Sequence, residues 1–232
     1  MIATNPPTPR IGFIGAGNLA TSLIGGLIQA GWAPDSLCAA DPSDARRQQL
    51  TEQFGLLVSP ENADIVHQAD VVVLAVKPQI MRAVATALSR ALHPDQTVVS
   101  VAAGIRGDAL TNWLSSTLGT PGVIRAMPNT PALLGVGATG LVAVNPVNEL
   151  GRTTAESIFS AVGQVEWLDN EAQIDAVIAV AGSAPAYFFA FMEAMQAGAI
   201  ELGLDVGEGE ADVRRRSVDH AADRGPVAFA PG

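Results

Sequence analysis

The sequence predicts an α/β protein in which a doubly wound parallel sheet is followed by a truncated all-helical C-terminal domain. Three observations carry that prediction. Short β-branched runs alternate with helical patterns through the first two thirds of the 232 residues. A glycine-rich turn separates the first such run from the first helix. From Asp169 onward only helical patterns remain. Continuous apolar strands joined through helices belong to parallel sheets covered on both faces.

In chain order, strands are expected at "RIGFIG", "SLCAAD", "LLVS", "DVVVLAV", "TVVSVAA" and "GVIRAMP". Helices fall between them over 19–30, 44–54, 61–68, 78–91 and 107–116. Two more strands, "GATGLVAV" and "GQVEWL", bracket a helix over 147–161, closing a first domain over 1–168. Residues 169–206 read as two helices broken at Gly182. Ser183 is placed to cap the second, with Pro185 in its first turn and Gly203 at its end. That helix is apolar nearly all round, with Tyr187, Phe188, Phe189, Phe191, Met192 and Met195, so it needs cover from other helices or another subunit. Residues 207–232 are charged and glycine-rich and read as a disordered tail.

A net charge of −10 argues against nucleic acid as a partner. The one cysteine, Cys38, has no internal disulfide partner, and no Cys/His metal cluster appears. Residues 1–10 do not read as a signal peptide, and the longest uncharged stretch, 176–192, is interrupted by "AGSAP" and makes a poor membrane span. A cytoplasmic location without membrane partners is the expectation. His67, His93 and His220 read as surface residues.

Chemistry concentrates at strand ends. Gly15-x-Gly17-x-x-Ala20 has the pattern of a dinucleotide-binding turn: Gly15 for the tight bend, Gly17 for close approach of a pyrophosphate, Ala20 for helix–strand packing. The helix that follows offers free N–H groups to an anion. Asp41 ends the second strand, where a carboxylate accepts from a ribose hydroxyl and favours NAD. Arg46 and Arg47 nearby could offset its charge toward a 2′-phosphate. Lys77 in "AVKPQ", and Asn129 and Thr130 in "MPNTPA", emerge at the carboxyl edge of the sheet, where open α/β sheets bind ligands. A turn or solvent-facing role competes for each.

Taken together, "FIGAGNLA", "LAVKPQ", "VSVAAGI", "VIRAMPNTPALLGVGATGL", "SAVGQVEWLDNEAQIDAV" and "AGSAPAYFF" resemble the pyrroline-5-carboxylate reductase family from about residue 10 to 206. The resemblance implies an N-terminal Rossmann domain and a helical domain that builds a homodimer, here through the 185–202 helix. It implies NADP as the cofactor, with NAD possible, and hydride transfer from its reduced form to the small-molecule substrate 1-pyrroline-5-carboxylate, giving L-proline. It places Ile14, Gly15, Ala16, Gly17, Asn18, Leu19, Asp41, Asn62, Ala75, Val76, Lys77, Pro78, Ala102 and Ala103 at the cofactor. Asn129 and Thr130 fall near the reacting centre, and Glu171 falls at the substrate. Ala184 replaces a family glycine, and nothing in 207–232 matches the family's "SPGGTT"-like substrate loop. A catalytically impaired dinucleotide binder, self-associating through its apolar helix, is therefore the competing expectation.

Overall fold

The computed structural model describes residues 8–203. The expectations for 207–232 and for His220 lie outside the described residues. All eight expected strands form: β1 (Ile11–Ile14), β2 (Leu37–Ala40), β3 (Leu57–Ser59), β4 (Val71–Leu74), β5 (Thr97–Ser100), β6 (Gly122–Met127), β7 (Gly137–Asn145) and β8 (Gly163–Trp167). They make one sheet in the order β3-β2-β1-β4-β5-β6-β7-β8. Six helices connect them: α1 (Asn18–Gln29), α2 (Asp44–Phe54), α3 (Asn62–Val66), α4 (Pro78–Leu88), α5 (Gly107–Leu114) and α6 (Glu149–Ser160).

The central strands are buried on both faces, as uninterrupted apolar runs require. Ile11 and Phe13 point into a core shared with Leu23, Ile24 and Leu27 of α1 and Ile158 and Phe159 of α6. Ile14 and Cys38 join the opposite core with Ile65, Met81, Leu88 and Leu110. β1 pairs in parallel with β2 on one side and β4 on the other, so strand order reverses at β1. Ligand sites of such sheets open beside that reversal, at the carboxyl ends of the strands.

The sheet is not parallel throughout. β6 and β7 run antiparallel, because the link 128–136 is too short to carry the crossover that parallel strands need. β8 then pairs in parallel with Gly137–Leu141, the first half of β7, of which Gly137, Ala138 and Thr139 reach past the end of β6 while Gly140 and Leu141 pair on both sides.

The chain divides into two compact units between Gly182 and Ser183. Within the first, α7 (Gln173–Val177) is followed by a π-helical turn, Ile178–Gly182. The second unit holds α8 (Ala184–Glu201). The expected break with a serine cap does not form. Ser183 is itself helical (φ −97°, ψ −35°) and makes no side-chain capping bond. The wider π turn carries the backbone into α8, where Pro185 falls in the first turn and its missing N–H costs nothing. Gly203 does end α8, at φ +93°. No residue of α8 is buried, and Tyr187, Phe188, Phe189, Phe191 and Met195 are all exposed. Gln173–Glu201 is long and apolar enough to cross a membrane by length and composition.

Cys38 lies at the bottom of the core, its thiol facing the Ile11 carbonyl at 3.6 Å. Burial pushes its pKa up to about 11, only partly opposed by the charge of Arg10. The folded state thus holds the thiol protonated above the ordinary value of 9.0, and stability is lost as pH rises from about 9 through 11. Two consequences are expected. A thiol reagent at pH 8 labels Cys38 only after unfolding. Cys38→Ala removes a loss on the order of 2 kcal/mol from the alkaline limb of a denaturation series.

Candidate active site

The first βα turn is built by two glycines with different reasons to be glycine. Gly15 sits at φ +98°, and a Cβ there would lie 2.8 Å from the Ala75 carbonyl oxygen. Its N–H donates to the Ala40 carbonyl at 2.8 Å, which locks the end of β1 to the end of β2. Gly17 has an ordinary extended backbone (φ −72°, ψ 178°) at the N-cap of α1. A Cβ on Gly17 would meet nothing within 4 Å. The protein itself therefore does not require glycine at 17, and the space in front of it is open. No side chain caps α1 and no acidic residue occupies its first turn, so its free N–H groups and positive dipole end face that space. Ala20 is fully buried, where a larger side chain would push helix from strand.

Asp41 is committed to this loop. One carboxylate oxygen accepts from the Ala16 N–H at 2.8 Å and the other from the Ser43 N–H at 2.9 Å. Ser43 caps α2 by accepting from the Arg46 N–H. The Arg46 guanidinium reaches Asn18 at 3.3 Å, bridging the two βα turns. Arg47 turns inward instead, donating to the Asp41 carbonyl at 2.6 Å and pairing with Asp44. Of the two arginines singled out in the sequence, Arg46 is the one beside the glycine turn.

The other expected cofactor residues line the same edge. Ala75 donates to the Ile14 carbonyl at 2.9 Å, and Ala75 and Val76 back Gly15. Lys77 is the exposed N-cap of α4, and Pro78 is its first residue. Asn62 starts α3 beyond β3. Ala102 is buried just past β5, its N–H donating to Ser100 Oγ at 3.3 Å, while Ala103 is exposed. The structure brings the ends of β1, β2, β4 and β5 together as one row.

Asn129 and Thr130 follow β6 and part ways. The Asn129 amide is used at both ends: Nδ2 donates to the Ala181 carbonyl at 3.2 Å, and Oδ1 accepts from the Ala138 N–H at 2.9 Å. It ties the loop to the π turn and to β7. Thr130 is exposed. Glu171 is held by groups that sequence reasoning missed. Its Oε1 accepts from Arg125 Nη1 at 2.6 Å and from the Gly107 N–H at 2.5 Å. Arg125 is only 7% exposed, inside β6. A charged residue in an otherwise apolar strand such as "GVIRAM" must find a partner, and that was the available signal.

Comparison with known proteins agrees with this geometry. Residues 10–104 match the family described as NADP oxidoreductase coenzyme F420-dependent. Residues 171–213 match pyrroline-5-carboxylate reductase dimerisation. The chain is 52% identical over 198 residues to a pyrroline-5-carboxylate reductase of Pseudomonas aeruginosa, covering 85% of this chain and 71% of that one. A pyrroline-5-carboxylate reductase of Vibrio alginolyticus is 44% identical over 196 residues, covering 84% and 71%. Among solved structures, a pyrroline-5-carboxylate reductase from Coxiella burnetii superposes with a TM-score of 0.87 at 37% identity, covering 93% of this chain and 79% of that one.

Proposed function

This chain belongs to the pyrroline-5-carboxylate reductase family, and we propose from that membership that its carboxyl edge holds NADP(H) for reduction of 1-pyrroline-5-carboxylate to L-proline. The reading is favoured over a catalytically impaired remnant, because the identity runs through both the glycine-turn half and the dimerisation segment. The single observation that supports it most is Gly17, whose missing side chain serves no packing need. The test is oxidation of NADPH in the presence of 1-pyrroline-5-carboxylate.

When bound, the nicotinamide supplies the hydride. The protein's own work is binding and orientation. Gly15, Ala16, Gly17 and the first turn of α1 receive the pyrophosphate. Ala75–Pro78 and Ala102–Ala103 flank the cofactor along the edge, and Asn62 stands at its adenosine end. Protonation of the substrate ring nitrogen makes its imine carbon electrophilic. Thr130 offers an exposed hydroxyl near that reaction, and Asn129 acts by holding the loop that presents it. Glu171 borders the substrate while anchored to Arg125.

Cofactor preference turns on Arg46 rather than Asp41. Both Asp41 oxygens already accept backbone N–H groups, so Asp41→Ser loosens the Ala16 turn and weakens NADH and NADPH alike. Arg46, exchanging Asn18 for a 2′-phosphate, adds a charge-assisted bond available only to NADPH. Arg46→Glu should lower NADPH affinity by roughly 10- to 100-fold, the equivalent of ~1.5–3 kcal/mol, and leave NADH affinity within about twofold. Parallel titrations with the two cofactors read the ratio. A ratio unchanged by the substitution places the 2′-phosphate elsewhere.

The protein assembles as a homo-oligomer, in keeping with its dimerisation segment. The exposed aromatic and methionine side chains of α8 provide its contact surface with a second copy, each contributing about 1.5–3 kcal/mol when covered. Assembly of the apolar stretch in this way fits a cytoplasmic enzyme.

A further inference from the structure

Lys77 is the only lysine among the 232 residues; every other basic side chain except the histidines is an arginine. The chain therefore has one side-chain primary amine, and it lies at the proposed cofactor edge. Lys77 is exposed at the N-cap of α4, and its side-chain amine makes no hydrogen bond or ion pair among the described residues. Its chain neighbours Ala75 and Val76 form the wall against which Gly15 packs. A phosphate-binding turn and a free amine thus share one short stretch of the sheet edge.

We propose that Lys77 is a covalent modification site for aldehydes that carry a phosphate, and that the adduct competes with the dinucleotide. The inference rests on the cofactor reading above. The phosphate occupies the open space before Gly17 and the N-terminus of α1. The Lys77 amine adds to the aldehyde carbon, and the resulting carbinolamine loses water to give an imine. No oxidant or reductant is consumed, and hydrolysis reverses the step. Arginine cannot replace lysine here, because a guanidinium stays protonated and forms no such imine.

Pyridoxal 5′-phosphate followed by borohydride provides the test, with pyridoxal as the phosphate-free control and the adduct located by mass spectrometry. The expected result is a single side-chain adduct at Lys77, formed about tenfold faster by the phosphorylated aldehyde, as hydrogen bonds to a charged group imply. Saturating NADPH should prevent it, and Lys77→Arg should remove it. Equal rates with the two aldehydes, or full labelling of Lys77 while nicotinamide fluorescence shows NADPH bound, would overturn the proposal. Failure of the unmodified protein to bind NADPH at all would instead overturn the cofactor reading, and this inference with it.

Discussion

Gly17→Asp is expected to abolish NADPH binding while leaving the protein fully folded. The two halves of that outcome have separate causes. The Gly17 backbone lies in a region open to any residue, and its Cβ would project into empty space, so the substitution meets no steric resistance. Aspartate is also a favoured N-cap, and α1 has none, so thermal stability should hold or rise. The same carboxylate would stand where the proposed site receives the pyrophosphate. Like charges 4 Å apart repel by about 4 kcal/mol at an effective dielectric near 20, or roughly a thousandfold in affinity. Gly15→Ala forms the contrasting control. It forces a side chain into the Ala75 carbonyl at a backbone angle costing about 1–2 kcal/mol, so stability and binding fall together. Nicotinamide fluorescence titration and thermal unfolding of both variants decide the matter. Unimpaired affinity in Gly17→Asp would remove the pyrophosphate from this turn.

The second large effect is expected at Arg125. Its side chain is 9% exposed and its partner Glu171 is 29% exposed. Removing one member of a buried pair costs about 3–5 kcal/mol, since the survivor keeps its charge without compensation. Glu171 retains the Gly107 N–H and some solvent, so Arg125→Ala should fall near the lower end of that range. Replacing both partners by methionine should restore much of the stability. Glu171→Gln separates the anchor from any contact with substrate. As an anchor alone it lowers the melting temperature and leaves KM unchanged, whereas a substrate contact raises KM at nearly constant stability. Denaturant unfolding and steady-state kinetics on the same samples distinguish the two.

Strand and helix positions were legible because each central strand is a short apolar run between helical patterns, with little else its residues could form. Direction was less legible. Nothing within "GVIRAM" or "GATGLVAV" marks them as antiparallel; the short link between them does, although Asn129 and Thr130 at the carboxyl edge make that link read equally as a ligand-binding loop. The two glycines of the turn look alike in sequence. Only the folded backbone shows that Gly15 is required by the Ala75 carbonyl and Gly17 by nothing among the described residues. Asp41 was correctly placed at a strand end, yet which way its carboxylate turns depends on the Ala16 and Ser43 N–H groups, whose positions arise from the fold. Ser183 failed as a cap because the π turn before it leaves no non-helical residue for a cap to occupy.

The pairing of β1 also bears on how the protein assembles and comes apart. Gly15 is held by Ala40, at the end of β2, and backed by Ala75, at the end of β4. β4 meets β1 only by closing a long loop, with Val71 beside Ile11. Such distant pairings are slow to form. The glycine turn proposed to hold the dinucleotide therefore takes shape only once three strands from separate parts of the chain have docked. A ligand that recognises that turn has nothing to grip earlier. At a hundred times its dissociation constant it adds about 2.7 kcal/mol to the native state. That increment should appear as slower unfolding, with the refolding rate unchanged, because the last contact made is the first one lost.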